Sequence, residues 1–157
     1  MNYERKGDYI NGVLVYSTDV TKPWDGAFEH NIRTVISPEP RLYIIIDDVK
    51  AAPGIDSCFI LNTYAKISKI EDSFIFTLDE VNMAVIPMYE PDKSEFGEFG
   101  ADGIGKPVNR LCIFDKNTDK KLVTVLEVFE KEPVYDKSRI EISANGIEID
   151  GKMICDL

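Results

Sequence analysis

The chain has 157 residues, with 28 Asp and Glu against 18 Lys and Arg, one His, three Cys and a formal net charge of −10. With 44% apolar and 29% charged residues it is neither disordered nor a coiled coil, and its length suits one domain, residues 1–157, that buries about 70% of its unfolded surface. The negative excess repels phosphate backbones and anionic headgroups. It excludes direct nucleic-acid binding and favours encounter with a basic protein.

Period-2 alternation and short apolar runs dominate, so strands are expected at residues 9–16, 33–36, 42–47, 57–61, 74–78, 81–88, 108–114, 122–129, 139–144, 147–149 and 153–155. The implied fold class is mostly β: a single-domain antiparallel β-sandwich or partly open barrel with one or two short helices. Helix is expected only at residues 24–33, where Phe28 and Ile32 stand at i, i+4, and at residues 63–72, where Tyr64, Ile67 and Ile70 follow a Thr63 cap. The runs Leu42 to Ile46 and Leu111 to Phe114 lack alternation and are expected in the centre with both faces covered. Pro87 marks an edge strand or a strand end.

The longest unbroken apolar run, Leu42 to Ile46, is far short of a membrane span, and the first residues hold no signal-peptide core. Cys58, Cys112 and Cys155 lie far apart among apolar neighbours, as reduced thiols do. A cytoplasmic protein with no membrane partner and no disulfide is the expectation.

Between Glu90 and Pro107 apolar periodicity lapses and glycines accumulate, which reads as a long loop. Glu90, Asp92, Glu95, Glu98 and Asp102 face Lys93 alone there, and Phe96 and Phe99 supply apolar anchors. That is the composition of a contact surface. Farther on, Asn145-Gly146 suits a type I′ turn that sets Ala144 opposite Ile147, Ser143 opposite Glu148 and Ile142 opposite Ile149. A second turn at Asp150-Gly151 brings Ile154 opposite Ile147 and extends the apolar face to a third strand.

Motifs that carry chemistry are sparse. The single His30 cannot build a two-His metal motif, and Cys58, Cys112 and Cys155 lack a neighbouring group that would activate a thiol. Asp47 and Asp48 end a buried strand, where metal-dependent enzymes place a ligand, but a turn follows directly. Residues Asp115 to Asp119 match half of a calcium loop. Lys120 and Leu126 then stand where Gly and Glu are required, so a hairpin loop is expected. Gly97 to Lys106 superficially resembles a phosphate cradle, but Pro107 follows in place of a helix and Glu98 and Asp102 repel an anion. Trp24, in a Pro and Gly loop, is a contact platform or a plug at a core edge.

Taken together these features predict a non-catalytic acidic binding protein without cofactor, of inhibitor or immunity type. Its basic protein partner is met by Glu90, Asp92, Glu95, Phe96, Glu98, Phe99 and Asp102. Two other roles fit the composition: an assembly subunit that pairs edge strands, and a carboxylate-based enzyme or small-ligand binder using Asp47, Asp48 and Asp115.

Overall fold

A computed structural model describes residues 5–10, 13–101, 103–116, 119–130, 137–143 and 145–156. Its strands are β1 (Arg5–Ile10), β2 (Val13–Asp19), β3 (Phe28–Glu39), β4 (Leu42–Ala51), β5 (Ser57–Thr63), β6 (Lys66–Ile70), β7 (Ser73–Leu78), β8 (Val81–Pro87), β9 (Lys93–Ala101), β10 (Pro107–Asp115), β11 (Asp119–Glu130), β12 (Ile140–Ser143), β13 (Gly146–Ile149) and β14 (Lys152–Cys155). An eight-stranded sheet runs β1-β2-β3-β4-β11-β8-β7-β6, and two three-stranded sheets run β5-β10-β9 and β12-β13-β14. The protein is mostly β, its pairs are antiparallel, and its sheets are open.

The pleat explains why the large sheet carries a smaller one on each face. Successive side chains of a strand point to opposite sides, and here both rows are apolar. Ile44 and Ile46 of β4, Ile75 of β7, Ile86 of β8 and Val125 of β11 form one core with Ile147 and Ile149 of β13. Ile45, Phe74, Phe76 and Val85 point the other way and pack on Phe59 of β5 and on Leu111 and Ile113 of β10. The run from Leu42 to Ile46 is therefore covered on both sides, as its lack of alternation requires. Residues Leu111 to Phe114 differ: Leu111 and Ile113 are buried, but Cys112 and Phe114 are only half-buried on the outer face of the small sheet. Pro87 closes β8 and is fully buried.

Several expectations are corrected. Residues 24–33 are not a helix: a 3-10 turn, Lys22–Trp24, ends at the start of this range and β3 begins at Phe28. Residues 63–72 are not helical, because the chain bends at Tyr64 and Ala65 and re-enters the large sheet as β6. The segment 9–16 splits into β1 and β2, which pair from Ile10 opposite Val13. Residues 93–101 are strand β9, not loop. Asp115 and Asp119 are not the two ends of a hairpin either: β10 belongs to the small sheet and β11 to the large one.

The C-terminal register also moves. Ser143 pairs with Gly146, Ile142 with Ile147, Glu141 with Glu148 and Ile140 with Ile149, while Ala144 lies outside the described residues. The shift is by two positions, so the same side chains still face the core. Gly146 belongs to β13 through its pairing with Ser143, and the Cys155 carbonyl of β14 lies close against it. The second turn sits at Asp150 (φ 50°) and Gly151 (φ 73°), joining Ile149 to Lys152. A bulge beyond it places Cys155, rather than Ile154, opposite Ile147.

Candidate functional site

The acidic aromatic segment is a sheet edge. β9 pairs with β10 on one side, in a sheet ordered β5-β10-β9. Leu111 stands opposite Phe96, so Phe96 points inward, edge-on to Phe74 with ring centroids 5.7 Å apart, and stays 43% exposed. A register shift between Val108 and Asn109 sets Asn109 opposite Glu98 and Val108 opposite Gly100, leaving Phe99 as the extra residue. Phe99 is 59% exposed, and the Arg110 guanidinium lies 3.1 Å from its ring centroid. Stacking of a guanidinium on an aromatic face is favourable and fixes the ring in place. Arg110 is oriented in turn by Nε donating to Asn62 Oδ1 at 2.8 Å. A shallow groove between Glu95, Gly97, Phe99, Arg110 and Cys112 opens here.

The carboxylates of this segment have different employments. Asp92 accepts from the Lys116 amide at 2.7 Å, and its own amide donates to the Phe114 carbonyl at 3.1 Å, so it ties the start of β9 to the end of β10. Glu95 forms an ion pair with Lys93 on the same strand. Glu90 and Glu98 are exposed. Asp102 lies outside the described residues.

The other suspected carboxylates do not converge. Asp47 faces the β5-β10-β9 sheet and pairs with Arg33, directly opposite on β3, through Nε at 2.6 Å and Nη2 at 2.9 Å. Asp115, 1% exposed, pairs with Lys120 at 2.6 Å. Asp48 points to the opposite face of the large sheet, where His30 Nε2 lies 2.9 Å from its Oδ1. Among the described residues, no group of three or more His, Cys, Asp or Glu could hold a metal ion. Cys58 and Cys112 lie across the large sheet from His30, on the sheet formed by β5, β10 and β9. Cys155 is on the His30 side, but burial pushes its thiol pKa up, away from a nucleophile's. Trp24 is 53% exposed, edge-on to Phe28 at 6.0 Å.

Burial and the neighbouring Cys112 thiol push Cys58 up to about 12 from 9.0, and burial pushes Tyr89 above its usual range. Unfolded thiols ionise near pH 9, so between there and about 12 the unfolded chain binds fewer protons than the folded one, and stability falls as pH rises. Tyr89 adds to the loss above its unfolded value of 10.0. Melting temperature is expected to fall from about pH 8 to about pH 10.5, and to fall less in Cys58→Ala. Equal slopes in both proteins would contradict this assignment.

Arg110, Arg33 and Lys120 were not predicted as site residues. Their partners become visible only once strands are paired. No protein-family model matches this sequence, and no curated protein matches it. Among the described residues, no helix is long and apolar enough to cross a membrane.

Proposed function

We propose that the chain is a non-catalytic acidic binding protein that takes a basic, extended segment of a protein partner along β9, in the manner of an inhibitor or immunity protein. The observation that carries this reading is the open edge of β9, with a stacked, half-exposed Phe99 and carboxylates at Glu90, Glu95 and Glu98. An edge strand offers unpaired amides and carbonyls to a strand from outside. Phe96 and Phe99 offer apolar anchorage, and the acidic rim selects a cationic occupant. The pairing of Asp47 with Arg33 and of Asp115 with Lys120 favours a structural role for these carboxylates over a catalytic one. The compartment is the cytoplasm, where Cys58, Cys112 and Cys155 remain thiols.

Pairing of β9 with a second copy is the competing reading, supported by the same open edge. It is disfavoured by charge, because residues 90–102 carry five carboxylates and one lysine and two copies repel. A monomer at all concentrations in size-exclusion chromatography is expected.

The test is association with cationic proteins captured from the native cell, measured at rising salt with the wild type and with the Glu95→Lys, Glu98→Lys double variant. Both sites are exposed, so the variant is expected to fold. Its association rate is expected to drop about tenfold at low salt, with a flattened salt dependence. Absence of any complex at low ionic strength, or a complex indifferent to both salt and charge reversal, rules the reading out.

A further inference from the structure

We propose that the cavity between β3, β4 and β5 binds a small, neutral, aromatic molecule bearing a carbonyl-type acceptor. The cavity measures about 230 Å³, larger than the roughly 150 Å³ that holds benzene in an apolar interior. Its floor is apolar, built by Phe59, Val49 and Leu122, and Trp24 and Phe28 stand at its wall. It shares Trp24, Asn31, Arg33, Cys58 and Ile60 with a shallower groove beside it, which supplies an entrance.

The polar groups at the cavity have unused hydrogen-bonding capacity. Asp47 occupies Nε and Nη2 of Arg33, which leaves Nη1 without a partner among the described residues. Asn31, two residues before Arg33 and so on the same side of β3, uses its backbone amide on Thr21 Oγ1, and its side-chain amide bonds to none of the described residues. Ser57 also lines the cavity; the residue is 4% exposed and its hydroxyl has no hydrogen-bond partner among the described residues. Buried polar groups are rarely left so. Two sources of N–H donors beside an aromatic wall and an apolar floor fit a flat ring carrying a carbonyl oxygen.

Charge sets the rest of the specificity. The Arg33 cation is already balanced by Asp47, and Asp56 also lines the cavity, in a chain of net charge −10. Among the described residues, an anionic ligand therefore meets the uncompensated Asp56 carboxylate and no uncompensated cation. A neutral ligand meets donors without that repulsion.

The test is an NMR titration of the full chain with three probes of similar shape: benzamide, benzoate and toluene. Benzamide is expected to bind saturably with a Kd of about 1 mM, shifting the Trp24 indole and the β3 and β5 amides. Benzoate and toluene are each expected to bind at least about tenfold more weakly, the first through repulsion and the second through loss of the acceptor. Trp24→Ala, at an exposed position, is expected to weaken benzamide about fivefold, and Asn31→Ala to weaken it while leaving toluene unchanged. Four results overturn the proposal: no saturable shift with benzamide, shifts confined to the opposite face of the large sheet, benzoate binding as well as benzamide, or toluene binding as well as benzamide.

Discussion

Arg33→Met is expected to destabilise the fold by about 3 kcal/mol, the lower end of the range for breaking a buried ion pair by removing one partner. At roughly 2–4 °C per kcal/mol for a chain of this size, the melting temperature falls by about 10 °C. The effect arises from what is left behind. The Asp47 side chain is 9% exposed and takes two guanidinium hydrogen bonds, so without Arg33 a carboxylate stands between two sheets with its main donors gone. Arg33 itself is about one-third exposed and lies 5.1 Å over the Phe59 ring, so solvent screens part of the interaction. Adding Asp47→Leu to Arg33→Met is expected to recover most of the loss, since an apolar pair of similar volume needs no desolvation of charge. Urea unfolding of the wild type, both single variants and the double variant closes the cycle. A loss below about 1 kcal/mol in Arg33→Met, or no recovery in the double variant, shows that the pair does not stabilise the β3–β4 seam.

This pair also shows where sequence reasoning stops. The strandedness of residues 42–47 follows from their composition, and so does their place in the centre. The meeting of Arg33 with Asp47 does not, because it depends on the β3 and β4 register, which bulges adjust between Phe28 and His30 and between Ile36 and Glu39. β9 was hidden for another reason. It lies at an edge and exposes residues on both sides, so burial imposes no alternation on Glu95 through Gly100. The apolar spacing of Tyr64, Ile67 and Ile70 mimicked a helix although the chain bends between two sheets, and among the three Ile67 alone packs on a core. Of the acidic aromatic segment, composition raised the expectation of a contact surface, but the stacking of Phe99 under Arg110 depends on the bulge, which composition does not reveal.

Gly146→Ala is expected to cost about 3 kcal/mol or more, and Gly97→Ala about half as much, although the two glycines have nearly the same φ, 145° and 146°. Side chains rarely adopt that region, and the strain common to both substitutions is about 1–3 kcal/mol. The sites differ in what a new methyl meets. At Gly97 it enters open space, whereas at Gly146 it collides with the Cys155 carbonyl oxygen and lies 2.8 Å from Met153 Sδ. The bulge that sets Cys155 across from Ile147 brings β14 onto this glycine, so the backbone of β14 must give way. Ile147 is fully buried and Ile149 nearly so under the same small sheet, and displacing β14 loosens the lid over the core formed with Ile44, Ile86 and Val125. Urea unfolding supplies the two free energies. Amide hydrogen exchange is expected to show lost protection in β13 and β14 for Gly146→Ala, and in β9 alone for Gly97→Ala. Equal destabilisation by the two substitutions, or intact protection of β14 in Gly146→Ala, means that β14 does not pack against Gly146 as closely as the register of the C-terminal sheet requires.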